Sequence, residues 1–344
     1  MPKFPLHPAA VPAGVPADVR LQIVSHCAKP PDGDSWLHEI KHDGHRLVAI
    51  VTRRGSLKLL SRNGIDRTRL FRDPFRTLAA AGHPIVMDGE IAVPDERGVT
   101  HLDALTDALG SRRSERLAYF AFDLLYFDGH DLRRCPIEHR KALLREILAE
   151  TAGDRVVYVG HVIGRGVDLF EKIRELGAEG VVSKRLGRPY RGGESRDWLK
   201  TKCFETGMFA ITGFQELGEG RLEAIYVAEE RDGGVRPAGQ VRFGFAGKGL
   251  WDKLDRLRAG PTRKGIIPVR LELHAEIKYF GRHKGGFIRD GVIQSLRVLA
   301  PARHPWSCDA DEVIARFDQY DESRVIRTRW MAGTSPVGRR IALP

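Results

Sequence analysis

Glu39-Ile40-Lys41-His42-Asp43-Gly44-His45-Arg46 stands between two apolar stretches, Trp36-Leu37 before it and Leu47 to Val51 after it. The pattern places Lys41 in a strand-turn-strand context with Asp43-Gly44 as the turn. A charged hairpin would need no more than that. Asp-Gly recurs at Asp88, Asp128, Asp232 and Asp290, yet only at Asp43 does it combine with a preceding lysine and a following arginine as KxDGxR. Three histidines, His38, His42 and His45, crowd the same corner. Alternation along a strand puts His38 and His42 on one face and His45 elsewhere, with no further ligand nearby, so they are read as packing residues rather than a metal site.

Outward from this corner, 344 residues exceed the usual size of one domain, and two hydrophobic cores are expected. From Ser35 to about Lys202, β-rich runs (Leu47 to Thr52, Leu57 to Ser61, Ile85 to Ala92, Ala118 to Asp123, Gly180 to Lys184) alternate with helical patterns at Arg140 to Thr151 and Leu169 to Gly177. That is an α+β reading. Leu143, Leu144, Ile147 and Leu148 make the apolar stripe of the first helix. Beyond Phe204 come short runs, Phe209 to Phe214, Ala224 to Ala228, Gly239 to Phe245 and Leu271 to Tyr279, with a helical pattern at Leu250 to Arg258. Such a series suits a small β-barrel, of which the OB-fold is the common nucleic-acid version. Residues 1–24, punctuated by Pro2, Pro5, Pro8, Pro12 and Pro16, are expected to form an extended, poorly ordered arm outside the fold. The first domain is expected over 25–203, the barrel over 207–302, and a tail with one short helix, Asp309 to Phe317, over 303–344.

Hydrophobic residues at 42% and charged residues at 29% describe an ordinary globular composition rather than a disordered chain. No apolar run approaches the roughly 20 residues of a membrane helix, and the first residues lack a secretory signal pattern. Cys27, Cys135, Cys203 and Cys308 are scattered, without a CxxC pair or the density of a disulfide scaffold, which fits a reducing cytosol. A formal net charge of +11 favours a polyanionic partner, because neutralising phosphates releases counterions.

Further chemistry-bearing runs follow in order: Ser61-Arg62-Asn63-Gly64, Asp88-Gly89-Glu90, Phe120-Ala121-Phe122-Asp123-Leu124-Leu125, Glu179-Gly180-Val181-Val182-Ser183-Lys184 and Trp198-Leu199-Lys200-Thr201-Lys202. Singly, each has a bland reading. Phe120 and Phe122 alternate as core in an apolar strand, Glu90 and Glu179 beside glycine are solvated turns, Trp198 is packing, and Lys184, Lys200 and Lys202 are an exposed basic face. In this order they resemble the motifs of the covalent nucleotidyltransferase superfamily, most closely ATP-dependent DNA ligases of the bacterial end-joining family, over about Trp36 to Leu299.

The resemblance implies an adenylation domain with antiparallel or mixed sheets followed by an OB-fold barrel. It implies that Lys41 takes AMP from ATP, that AMP moves to a 5′-phosphate at a nick, and that a 3′-hydroxyl displaces it. Arg46, Lys200 and Lys202 would be catalytic cations beside Lys41. Glu39, Asp43, Arg62, Glu90, Phe122, Lys184 and Arg297 would bind the nucleotide, with Arg62 at ribose or phosphate and Phe122 stacked on adenine. Glu90 and Glu179 would hold Mg2+ or Mn2+.

Elementary chemistry asks for the same residue types. A lysine attacks a phosphate only as the neutral amine, so the pKa of Lys41 is expected to be lowered by burial and by Arg46, Lys200 and Lys202. Phosphoryl transfer is mainly positioning and charge neutralisation, and magnesium takes a few carboxylates with water and phosphate oxygens.

One motif departs from the family. Its OB domain ends in an Arg-x-Asp-Lys element that orients the leaving pyrophosphate, whereas Gln294-Ser295-Leu296-Arg297-Val298-Leu299-Ala300 keeps the arginine without the Asp-Lys pair. Either a neighbouring basic residue substitutes or loading of Lys41 is slow. An adenylation-impaired or non-catalytic DNA-binding homologue is thus one alternative, and an RNA ligase or GTP-using capping enzyme sharing KxDGxR is another. Without polymerase or nuclease domains the chain reads as a minimal, monomeric, cytosolic or nucleoid ligase. It would grip duplex DNA at nicks or ends through Arg221, Arg242, Lys248, Lys253, Arg256, Lys264, Arg282 and Lys284, with an end-binding repair protein as recruiter and no membrane partner.

Overall fold

Leu47 to Val51 is apolar at every position, which suits a strand buried on both faces rather than on one. The computed structural model bears this out: Leu47, Ala49 and Val51 join one core with Leu59, Phe71, Phe75 and Leu144, while Val48 and Ile50 face Leu37, Val86, Leu125 and Trp198. The structure describes residues 5–298, apart from Ala81, Ala152, Asp154, Glu219, Asp232, Gly233, Gly247, Lys248 and Lys284. These residues divide between Cys203 and Phe204 into two units, each with its own core.

The first unit is built on two mixed sheets. One runs in the order Val11–Pro12, His130–Asp131, Ala118–Phe127, Ile85–Ala92, His45–Val51, Leu57–Ser61, with Val156–Tyr158 parallel to Ala118–Phe127. The other runs Val162–Gly164, Gly33–Ile40, Gly180–Arg185, Gly193–Lys202, Gln22–His26, its last pair parallel. Helix Ile137–Thr151 lays Leu144 and Ile147 onto the first core. Truncating Leu47 to alanine there would cost roughly 2–5 kcal/mol.

The strands flanking the KxDGxR corner do not pair with each other. Gly33–Ile40 belongs to one sheet and His45–Val51 to the other, so residues 41–44 carry the chain across the gap between the two layers. Gly44 is required there: a Cβ on it would lie 2.2 Å from the carbonyl oxygen of Ile91.

The arm expected to lie outside the fold instead contributes to it. Val11–Pro12 pairs with His130–Asp131, Leu6, Ala9 and Ala10 pack against the first core, and Val19 and Leu21 are buried. Proline is compatible with extended edge pairing, and the apolar residues between the prolines gain burial there.

In the second unit the strand order is Gly234–Val241, Arg221–Arg231, Glu205–Gly218, Leu273–Tyr279, Val292–Val298, with Ile267–Pro268 also on Glu205–Gly218. Phe209, Ile211, Phe214, Ile225 and Ile277 fill its core beneath helix Leu250–Arg256. A closed barrel was expected, but among the described residues this strand path is open. The strand Gly234–Val241 stops short of the far edge, and a single parallel bridge, Phe243 with Val292, reaches from that side to Val292–Val298. The expected helix at Asp309 to Phe317, and Lys248 and Lys284, lie outside the described residues.

Candidate active site around Lys41

Lys41 follows the last residue of strand Gly33–Ile40, and its backbone N–H donates to the Gly180 carbonyl at 2.8 Å. That bond sets its side chain beside Glu179, whose carboxylate pairs with the Lys41 ammonium and, on its other oxygen, with Lys202 Nζ at 3.3 Å. Gly180 makes the approach possible. Its φ is +148°, and a Cβ would lie 2.1 Å from the Thr201 carbonyl oxygen. Lys200 and Lys202 share strand Gly193–Lys202, pairing with Val182 and Gly180, so alternation sends both toward the same side.

The electrostatics differ from expectation. Burial does work against the Lys41 charge, but Glu179, then Glu90 and Asp43, outweigh it and hold the ammonium above the ordinary lysine value. The lowered pKa expected for Lys41 is therefore absent, because three carboxylates converge on it from separate segments. The depression falls instead on Lys200, through burial and then the Lys41 and Lys202 charges. Burial, opposed by Lys41 and reinforced by Glu179, pushes Glu90 up to about 8.

Arg46 does not act on Lys41. Its guanidinium makes a two-pronged pair with Asp88 at 2.9 and 2.6 Å and donates to the Gln22 carbonyl at 2.9 Å. The same Asp88 accepts from Tyr190 Oη at 2.8 Å, so the arginine expected to be a free cation is neutralised within the core.

Asp43 points to helix Leu102–Gly110, accepting the Leu102 N–H at 3.1 Å, while its own N–H donates to Thr100 Oγ1 at 2.9 Å. A carboxylate at a helix N-terminus satisfies an orphan donor and meets the positive end of the dipole. Glu39 is buried between two lysines, Lys141 Nζ at 2.5 Å and Lys184 Nζ at 2.7 Å. Lys184 also donates to the Phe122 carbonyl at 3.0 Å and lies over the rings of Phe122 and Trp198; burial, against the pull of Glu39, brings it down to about 8. Phe122, expected to stack on adenine, is met by Lys184 at 4.5 Å, by Arg46 at 5.5 Å and by the edge of Trp198. Arg62 is exposed in the turn after Leu57–Ser61, and Arg297 is exposed on the second unit, opposite His274.

Strand geometry also revises the histidines. The strand ends at Ile40, so His42 leaves the face of His38. His38 bonds Ser183 Oγ through Nδ1 at 2.8 Å, whereas His42 stacks on Phe120 at 3.9 Å.

A family model for the ATP dependent DNA ligase domain matches residues 19–202, more than half of the chain. The chain belongs to the ATP-dependent DNA ligase family. It is 33% identical over 309 residues to the multifunctional non-homologous end joining protein LigD of Pseudomonas aeruginosa, covering 84% of this chain and 36% of that protein. The LigD of Mycolicibacterium smegmatis is 31% identical over 298 residues, covering 81% and 37%. This ligase-family chain thus spans little more than a third of the length of these relatives. Among solved structures, mycobacterial DNA ligase D complexed with ATP and MES superposes with a TM-score of 0.51 at 28% identity, over 81% of this chain and 95% of that one.

Several residues of this ligase-family site were not singled out by sequence reading. Lys141 and Arg140 are fully buried, the latter on Asp123 at 2.8 Å through two nitrogens. A signal existed: both fall one turn before Leu144, on the apolar stripe of their helix, where a charge needs a buried partner. Tyr190, Gln22 and Thr100 carried none, since each falls outside the motif runs.

Proposed function

We propose that this chain joins DNA in an ATP-dependent reaction through AMP carried on Lys41, sealing 5′-phosphate/3′-hydroxyl nicks or ends in repair. The observation that carries this reading is the convergence of Glu179, Glu90, Lys200 and Lys202 on one lysine amine at the junction of two sheets. In the first step the Lys41 ammonium gives up one proton to solvent, the neutral nitrogen forms a bond to the α-phosphorus of ATP, the α–β bridging P–O bond breaks, pyrophosphate leaves, and a second proton passes from the nitrogen to solvent. A 5′-phosphate oxygen of DNA then attacks the same phosphorus and Lys41 departs. Glu179 favours that departure, since a carboxylate stabilises the ammonium that the leaving amine becomes on taking up a proton. Finally a 3′-hydroxyl oxygen attacks the activated 5′-phosphate and AMP leaves.

Glu90 and Glu179 fit a divalent cation. Burial and crowding of carboxylates raise Glu90 to about 8, so added positive charge is favoured there. Among the described residues no cluster of three protein ligands accompanies them, which suits Mg2+ or Mn2+ completed by water and phosphate oxygens. Such an ion would neutralise charge on the transferring phosphate.

The second unit is read as an open OB-fold, supported by its five-strand order, the inserted helix Leu250–Arg256 and the parallel bridge at Phe243. Arg297 would serve pyrophosphate departure without the usual Asp-Lys pair, making the loading of Lys41 the slow step. Duplex DNA would meet basic residues such as Arg221, Arg242, Lys253, Arg256, Lys264 and Arg282. The protein would act as a cytosolic monomer recruited by an end-binding repair protein.

Nick sealing with ATP, set beside sealing of a pre-adenylated nick without ATP, tests this. Both should proceed, the second faster. Failure of both would overturn the enzyme reading, and faster sealing of RNA nicks, or labelling by GTP over ATP, would overturn the substrate.

A further inference from the structure

Glu39 stands two residues before Lys41 on strand Gly33–Ile40, and the ladder between that strand and Gly180–Arg185 runs on to the Lys41 N–H. Its carboxylate is shared. Lys184 Nζ takes one oxygen at 2.7 Å, and Lys141 Nζ, sent in from helix Ile137–Thr151, lies 2.5 Å from the other. The second contact is a charge pair rather than a directed hydrogen bond; Lys141 Nζ donates to the Val159 carbonyl at 2.8 Å and lies over the Tyr158 ring at 4.7 Å. Both lysines also reach the Phe122 carbonyl, at 3.0 Å from Lys184 and 3.5 Å from Lys141.

With the neighbouring Arg140 and Asp123, five side chains, none more than 3% exposed, carry three positive charges against two negative. Charge so deeply buried is tolerated only where partners offset it, so the two lysines depend on the one acid between them. Lys141 lies outside the motif runs and is fully buried, which suits a residue acting through others rather than on a ligand. We propose that Lys141 is a positioning residue for AMP transfer: it holds one oxygen of Glu39 so that the other stays on Lys184, fixing both residues on the strands beside Lys41. This rests on Lys41 being the adenylated residue and on Glu39 and Lys184 meeting the nucleotide. A second consequence is electrostatic. Burial lowers Lys184 to about 8 against the pull of Glu39 and, more weakly, Asp123, and the Lys141 charge adds to that lowering.

The test measures the rate of AMP transfer to the full-length protein against ATP concentration, from pH 6.5 to 9.5, for wild type, Lys141→Met, Glu39→Gln and the double variant. Melting temperatures establish folding. Losing one charged contact to Glu39 should raise the ATP concentration for half-maximal rate by about tenfold in Lys141→Met, with the rate at saturation within about threefold of wild type. In wild type that concentration should climb as pH passes about 8, where Lys184 gives up its proton; in Lys141→Met the climb should begin at higher pH, because a facing cation is gone. The double variant should be no worse than Glu39→Gln, since Lys141 acts through Glu39. A folded Lys141→Met with unchanged ATP dependence and pH profile would overturn the proposal, as would losses that multiply in the double variant. If Lys141→Met does not fold, Lys141→Arg carries the test: it keeps the charge and should keep the wild-type pH profile, whereas a folded Lys141→Arg with a displaced profile would overturn the assignment. Absence of AMP on the wild type would instead remove the Lys41 reading beneath it.

Discussion

The ammonium of Lys41 is paired with the carboxylate of Glu179, and the other oxygen of that carboxylate lies 3.3 Å from Lys202. One acid thus holds two cations at the point where phosphorus would be transferred. In the free protein Lys41 should therefore titrate above the ordinary lysine value of 10.5, since the amine must give up its pairing to lose a proton. Acylation of Lys41 measured by peptide mass spectrometry should rise about tenfold per pH unit between pH 7 and 9 without levelling. Glu179→Gln should move the whole profile to lower pH. A plateau near pH 7 in the wild type would contradict the pairing.

Glu90 supplies an opposite dependence. Its folded value of about 8 lies above the ordinary 4.5, so the fold favours the neutral acid. Its contribution to stability is intact below pH 4.5 and is lost as pH rises through 8. Metal-free Glu90→Gln should melt higher than wild type at pH 8.5, with the two converging near pH 4.5. A constant difference across that range would show that Glu90 does not titrate there.

Arg140 and Asp123 are both fully buried and joined at 2.8 Å through two nitrogens. Arg140→Met leaves an uncompensated carboxylate and should cost about 3–5 kcal/mol in urea unfolding. Removing both charges with Arg140→Met and Asp123→Leu should cost less than the single change. Additive losses would mean that the pair is not coupled.

Gly180 is pinned by its φ of +148° and by the Thr201 carbonyl, and directly after Glu179 it opens the strand that carries Val182 and Lys184. Gly180→Ala should lose most AMP transfer and several degrees of melting temperature. Wild-type behaviour in both would show that the close approach is not needed.

Much of the site was legible because its residues sit in short runs whose order is itself informative. Lys41, Glu179, Lys200 and Lys202 are brought together in the structure, and strands Leu57–Ser61 and Ile85–Ala92 lie where the apolar runs put them. What escaped depends on convergence across distant segments. The high proton affinity of Lys41 arises from Glu179, Glu90 and Asp43, which only the meeting of two sheets gathers. Arg46 looked like a free cation because Asp88 and Gln22 lie 42 and 24 residues away from it. Strand Gly193–Lys202 was hidden by its polar alternation, and Leu102–Gly110 by its small size, although its first N–H is what holds the Asp43 carboxylate in place. The prolines of the arm signalled extension correctly, but burial of Val19 and Leu21 depends on the surface they meet.

The most direct measurement is intact and peptide mass spectrometry of the protein incubated with ATP and Mg2+. The account predicts the mass of one AMP added, mapped to the peptide containing Lys41, absent from Lys41→Ala and removed by pyrophosphate. AMP on a different residue, or none on a wild-type protein that is folded and supplied with both, would contradict it.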